Sequence, residues 1–413
     1  MRLWFVFLAL AICFASGTSS SAAKLLPMYD VCDGKKPALA VDKAGHLHAA
    51  FQAPQKDNDV TDIFYTESSD GGKTWSTPTD VSKTPGNSFD PDIVVEQNGA
   101  VDVAWSDTTP GEKIADIYFA RSADGGKTWS APIQVSSTPG QSTHPALAAG
   151  EDSSLHLVWC DTTRGEKNQD IFYVASYDGG RKWGKEGAAE DISNTPGTSS
   201  DPVIAISADG ITHVAWLDST PGEDHPDIYY CHCASEHWSK PLNISNSPRR
   251  SSHPGIACGA QKKIYLCWSD NSRKENSADI WCAIWDRRGE FGKPLNISDT
   301  LGVSSQPAIA ASGQSVACVW SDSTKYMRTT TKNPDIFCRI SSDGGQEFSN
   351  VLDVASTPGV SQHADVAIAG SKVYVIWEEV DDAKSSLKSS MLDLKDLASG
   401  VIQKVDPTIH MHR

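Results

Sequence analysis

The heptapeptide VDVAWSD (Val101–Asp107) recurs in altered form along the chain, as HLHAAFQ before it and as LHLVWCD, THVAWLD, IYLCWSD, VACVWSD and VYVIWEE after it. Its aromatic residue falls at Phe51, Trp105, Trp159, Trp216, Trp268, Trp320 and Trp377, a period close to 54 residues. In the first six units a second strand follows, such as DIYFARS or DIFYVAS, and then a third, such as IQVSS or LNIS. A turn rich in Ser, Thr, Pro and Gly leads next into a short apolar run such as PALAAG or PVIAIS. Short β-branched and aromatic runs bounded by Gly, Pro, Asn and Asp are strand signals, and outside the N-terminal leader no long helical period competes with them.

Four antiparallel strands per repeat make the blade of a β-propeller. A lone blade has two apolar faces and cannot cover them; stacking blades around an axis covers both, and closing the ring leaves no end blade exposed. The expected fold is therefore all-β, a propeller of four-stranded antiparallel blades, seven in number with six as the alternative. A parallel β-helix would use much shorter coils. Tyr29-Asp30-Val31-Cys32 resembles the fourth-strand runs Asp80-Val81-Ser82 and Asp191-Ile192-Ser193. It is expected to complete the last blade from the opposite terminus, in competition with Gly400 to Val405.

The chain opens with Arg2, an apolar run from Leu3 to Phe14, and the small residues Ser21-Ala22-Ala23. That pattern reads as a signal peptide over residues 1–23, leaving one propeller domain over 24–413 that is secreted, either extracellular or periplasmic. The formal charge of -16 repels phosphate backbones and argues against nucleic acid as a partner, and no later stretch is long enough to span a membrane. Nine cysteines follow the leader, without CxxC or zinc-type spacing. Cys267 and Cys282 lie equally far back from Asp270 and Asp279, so a symmetric hairpin would set them opposite each other as a candidate disulfide. Asn243 and Asn296 head Asn-Ile-Ser glycosylation sequons.

Four copies of Ser-x-Asp-x-Gly-x-x-Trp/Phe stand at blade spacing: Ser68-Asp70-Gly72-Trp75, Ser122-Asp124-Gly126-Trp129, Ser176-Asp178-Gly180-Trp183 and Ser341-Asp343-Gly345-Phe348. These resemble the Asp boxes, or BNR repeats, of sialidases and many other propellers. The motif's chemistry is that of a turn: Asp accepts from the local backbone, Gly permits a positive φ, and the aromatic residue pins the turn to its blade. In the fourth and fifth repeats it decays to Ser235-Glu236-His237-Trp238 and Asp286-Arg287-Arg288-Gly289. The resemblance implies the fold and the turns. Sialidases grip their substrate carboxylate with three arginines, the first usually in Arg-Ile-Pro, and use an acid/base carboxylate and a tyrosine nucleophile backed by a glutamate. This chain has no Arg-Ile-Pro and, after the leader, no arginine before Arg121, so no catalytic residue carries over.

Three constellations remain. Where each innermost strand begins, at the mouth of the central channel, stand Lys36, Asp90, His144, Asp201, His253, Gln306 and His363, six of them directly before proline. Alternating imidazole and carboxylate suits a ligand, a proton-transfer site or a divalent metal. The loops between second and third strands repeat acidic residues from Asp107 to Asp116 around Glu112, Asp161 to Asp170 around Glu166, Asp218 to Asp227 around Glu223, and Asp270 to Asp279 around Glu275. They read either as turn caps or as a circle of calcium-type ligands. Arg249, Arg250, Arg273, Arg328 and Tyr326 share the same face; guanidinium forks suit a sugar carboxylate or sulfate, and a tyrosine beside them a nucleophile. The main functional expectation is an exported propeller that binds a glycan or protein on its loop-rich face. The alternatives are a divergent sialidase-like glycoside hydrolase using the arginine face, or a metal-dependent lyase or hydrolase at the channel mouth.

Overall fold

The computed structural model describes residues 26–55, 60–108, 114–165, 168–184, 187–222, 224–274, 277–285, 289–324 and 333–398. The predicted leader, the competing C-terminal stretch Gly400 to Val405, and Glu112, Glu166, Glu223, Glu275, Tyr326 and Arg328 lie outside them.

Seven antiparallel sheets follow one another along the chain. The first blade takes Lys35–Val41, Leu47–Pro54, Thr61–Ser68 and Thr79–Asp80 in that order, and blades two to six repeat the plan. In blade four the outer strand is split into His237–Trp238 and Leu242–Asn243. Blade seven takes Val360–Ala369, Lys372–Asp381 and Lys384–Asp393, and its fourth strand is the N-terminal Met28–Asp33, paired with Lys384–Asp393. The ring is thus closed by the terminus that the Tyr29–Cys32 resemblance indicated.

The aromatic ruler is the core. Phe51 and the six tryptophans at its repeat positions are at most 1% exposed. Leu155–Asp161 and Thr212–Asp218 are buried at every residue, as expected for strands covered on both faces. Seven apolar clusters fill the seven interfaces between neighbouring blades. The one that closes the circle joins Leu39, Leu47, Ala49 and Phe51 of blade one to Ala367, Tyr374, Ile376 and Leu387 of blade seven.

Two residues after the tryptophan, an aspartate ties each of blades two to six to the loops above it. Asp107 Oδ2 accepts from Trp105 Nε1 (3.1 Å), Thr84 Oγ1 (2.6 Å) and Ser88 Oγ (2.7 Å). Asp161, Asp218 and Asp322 repeat those three bonds, Asp270 keeps them with Ser247 on its other oxygen, and Glu379 holds Trp377 and Ser361. Directly across the hairpin from the aspartates stand Asp116, Asp170, Asp227, Asp279 and Asp335. A buried carboxylate filled by three donors is a structural hub, the turn-capping role weighed for these loops. The blade-linking Thr-Pro-Gly segment packs so tightly on the same loop that a Cβ on Gly140 would lie 2.2 Å from the Thr163 nitrogen; Gly197 and Gly302 are equally confined.

Cys267 and Cys282 do face each other across Ile264–Lys274 and Ser277–Trp285. No disulfide joins them, however, and all nine cysteines of the described residues are free. Both thiols are buried in the apolar interface with blade six, where Cys267 Sγ fills the space left by Gly255; an added Cβ there would be 2.9 Å from it. The Asn243 amide is likewise engaged, donating to Asp227 Oδ2 at 2.7 Å.

Candidate functional site

Every innermost strand carries a β-bulge at its start. In blade two, Phe89 pairs with Ser106 and Asp92 with Ala104, so Asp90 and Pro91 together face Trp105. Proline suits this place because it has no N–H to offer the ladder. The residue before it is forced into the left-handed region: φ is +45° at Lys36, +52° at Asp90, +54° at His144, +50° at Asp201 and His253, +51° at Gln306 and +49° at His363. A side chain with a Cβ adopts that conformation at a cost of about 1–3 kcal/mol, and it persists only where surrounding structure enforces it. His363 has Ala364 after it instead of proline and behaves alike, so the bulge belongs to the blade rather than to the proline. All seven side chains line one cavity of about 470 Å³ on the channel axis, with Asp92 and Asp365 deeper inside it.

Within this funnel two imidazoles meet a carboxylate. His144 Nε2 is 3.5 Å from Asp90 Oδ2, whose other oxygen is 2.5 Å from Lys36 Nζ. His363 Nδ1 is 3.0 Å from Glu378 Oε2; Glu378 also accepts from Ser385 Oγ (2.8 Å) and the Lys36 amide (3.3 Å). His253 is held below the ordinary histidine range, first by burial, against the pull of Asp201 and with the help of Arg250 and His363. Deeper in, burial pushes Asp92 up to about 7, although the amides of Leu147 and Ile93 donate to it and Asp365 adds repulsion. Burial likewise lifts Asp365 to about 6. An imidazole oriented by a carboxylate is a proton-transfer pair, and two of them open onto one cavity beside His253.

The arginines divide. Arg273 Nη1 is bound by Asp279 (3.2 Å) and Asp299 (3.0 Å) and braces its own loop. Arg249 and Arg250 are exposed and make no ion pair or side-chain hydrogen bond among the described residues. They occupy a break in the repeat: Thr84-Pro-Gly86, Thr138-Pro-Gly140, Thr195-Pro-Gly197 and Thr357-Pro-Gly359 are matched in blade five by Ser247-Pro248-Arg249. A site built on differences between blades is thereby marked at blade five, next to His253.

The Asp boxes sit on the opposite face. Ser68 Oγ donates to Asp70 Oδ1 (2.9 Å) and accepts from the Gly72 amide (2.9 Å), while Asp70 caps the Lys73 and Thr74 amides at 3.0 Å. The boxes at Ser122, Ser176 and Ser341 repeat this, and the backbone and Thr hydroxyl bonds hold Asp70 and Asp124 down at about 2. Trp129 packs edge-on against Tyr65, and Trp183 against Phe119, at 5.1 Å. Glu378 was not among the sequence candidates. Its signal is positional, because it follows Trp377 where Gln52, Ser106 and Cys160 follow their own aromatic residues. Among the described residues no three His, Cys, Asp or Glu side chains converge as a metal-ligand set.

A family model described as a BNR repeat-like domain matches residues 33–157. No curated protein matches the chain. Among solved structures, an ulvan lyase of a new polysaccharide-lyase family superposes with a TM-score of 0.59 at 11% identity, covering 91% of this chain and 99% of that one. Penicillium chrysogenum α-L-arabinanase does so at 0.55 and 13% identity, over 90% and 99% of the two chains. A Hadza microbial sialidase follows at 0.52 and 13%, over 88% of this chain and 66% of that one. The BNR repeat-like match covers the first part of the ring, and the whole chain shares the propeller fold of these structures.

Proposed function

We propose that this protein is an exported, carbohydrate-active propeller that takes an acidic glycan into the funnel on its blade-linking face and cleaves a glycosidic bond there. The observation that carries this reading is one cavity, its lining different blade by blade, where two imidazole–carboxylate pairs meet His253, with Arg249 and Arg250 in the loop that leads into the His253 strand. Arg249 and Arg250 grip a sugar carboxylate or sulfate through their planar forks. His253, held below the ordinary histidine range first by burial, takes a proton from an attacking water or from the carbon beside a uronate carboxylate; His144, oriented by Asp90, gives one to the leaving oxygen as the C–O bond breaks. The lyase, the arabinanase and the sialidase above share this fold, which supports a sugar substrate and leaves the reaction to the residues. The test is incubation with uronate-containing, sulfated and sialylated glycans, reading reducing ends, released sialic acid and unsaturated products. The reading requires product from at least one glycan and its loss in His144→Ala and Arg250→Ala.

A second reading, a module that holds a glycan or protein without cleaving it, is favoured by the near-identity of Asp107-Thr-Thr-Pro-Gly-Glu112 and Asp218-Ser-Thr-Pro-Gly-Glu223. Retention of a glycan by the protein with no product from any substrate would select it.

A further inference from the structure

A second cavity, of about 520 Å³, lies on the face opposite the funnel, between blades four and five. Its walls include Asp209, His213, Gln261, Lys262, Trp285 and Gly289. In blades one, two, three and six an Asp box lies over the groove to the preceding blade. The box glycines lie so flat on the preceding blade that a Cβ on Gly126 would be 2.1 Å from the Tyr65 hydroxyl, and one on Gly180 would be 2.2 Å from the Phe119 ring. Blade five has no Ser-x-Asp-x-Gly sequence. Its Phe291 meets Tyr230 of blade four edge-on at 5.0 Å, in the manner of a box aromatic, while the half-buried Trp285 ring, met edge-on by Phe291 at 5.1 Å, lines the groove.

The polar groups here are arranged for hydroxyls. Lys262 Nζ is 2.7 Å from Asp209 Oδ2, and Asp209 Oδ1 accepts from Ser207 Oγ at 2.6 Å. The ammonium has further N–H donors and the carboxylate further lone pairs, both directed by a mutual contact that cancels their charge. His213 is satisfied by Tyr230 (2.7 Å) and Ser207 (3.3 Å), and burial holds it down at about 4, so it adds no charge at neutral pH. Gln261 and Lys262 stand at φ +61° and +60° in a short turn, a strained placement that presents both side chains to the groove.

We propose that this cavity is a second carbohydrate site, which stacks one uncharged pyranose on Trp285 and shares its hydroxyls between Asp209 and Lys262. An aromatic face paired with a self-neutralised acid–base couple suits a neutral sugar, as an unpaired arginine suits an acidic one. The site stands apart from the funnel and anchors the protein to a neutral polymer whatever the funnel does. Affinity electrophoresis through gels containing glucomannan, xylan or hydroxyethyl cellulose tests it. The wild-type protein is retarded by at least one of the three; Trp285→Ala and Lys262→Ala each weaken retention about tenfold or more, and Arg250→Ala is retarded as wild type. Lys262 is exposed, so its variant reports on binding even if Trp285→Ala fails to fold. No retardation in any gel, equal retardation of wild type and Lys262→Ala, or a loss shared by Arg250→Ala overturns the proposal.

Discussion

His144 Nε2 lies 3.5 Å from Asp90 Oδ2, so an imidazole from blade three is oriented by a carboxylate from blade two. Neither residue belongs to the apolar interfaces. Replacing His144 by Ala is expected to lower turnover of the funnel's substrate by about a hundredfold or more, with little change in melting temperature. Asp90→Asn keeps the shape and is expected to act in the same direction with a smaller loss. Initial rates and thermal melts of the two variants check this.

After burial, the charges of Asp201 and Arg250 act on His253 in opposite directions. Removing the positive charge in Arg250→Ala is expected to move the His253 titration upward, and Asp201→Asn to move it downward, because Arg250 opposes and Asp201 favours the imidazolium. Histidine side-chain NMR across pH reads both shifts. A His253 titration that ignores both variants would place these groups out of reach of one another.

Asp92 gives a pH dependence of the opposite kind from an ordinary surface carboxylate. Burial holds it near 7, above the unfolded value of about 4, so the folded state binds its proton more tightly. Its contribution is most favourable below about pH 4 and is lost as pH rises towards 7. Asp92→Asn is expected to be destabilised throughout, since one of the Leu147 and Ile93 amides loses its acceptor, and to lack that decline. Urea melts at several pH values give the difference in slope.

Much of this was legible in the sequence because strand two is covered on both faces and cannot vary freely. The aromatic at Phe51, Trp105 and their repeats therefore marked seven blades, and the residue before proline marked the channel mouth. The pairing of Tyr29–Cys32 with the last blade was equally readable. The rest depended on space rather than pattern. Glu378 reaches His363 only because ring residues and second-strand ends converge at the axis. Cys267 and Cys282 were placed opposite each other correctly, yet hairpin symmetry does not say whether two thiols join. The groove between blades four and five is a matter of depth, of which a sequence shows only the motif decay beside it.

The blade-linking loops should tolerate little added volume. Gly140→Ala would set a methyl 2.2 Å from the Thr163 nitrogen, so a destabilisation of about 2 kcal/mol is expected. Blade five already carries Arg249 where the repeat has glycine, so Arg249→Gly is expected to fold as well as wild type while losing affinity for acidic glycans. Denaturant midpoints separate the two outcomes.

The most direct test of the central claim is a crystal structure of the protein soaked with an acidic oligosaccharide that it retains or cleaves. Density for the sugar in the funnel, with its anionic group at Arg249 or Arg250 and a ring oxygen or hydroxyl within hydrogen-bond reach of His144 or His253, is the predicted result. Sugar bound elsewhere with the funnel empty would contradict it.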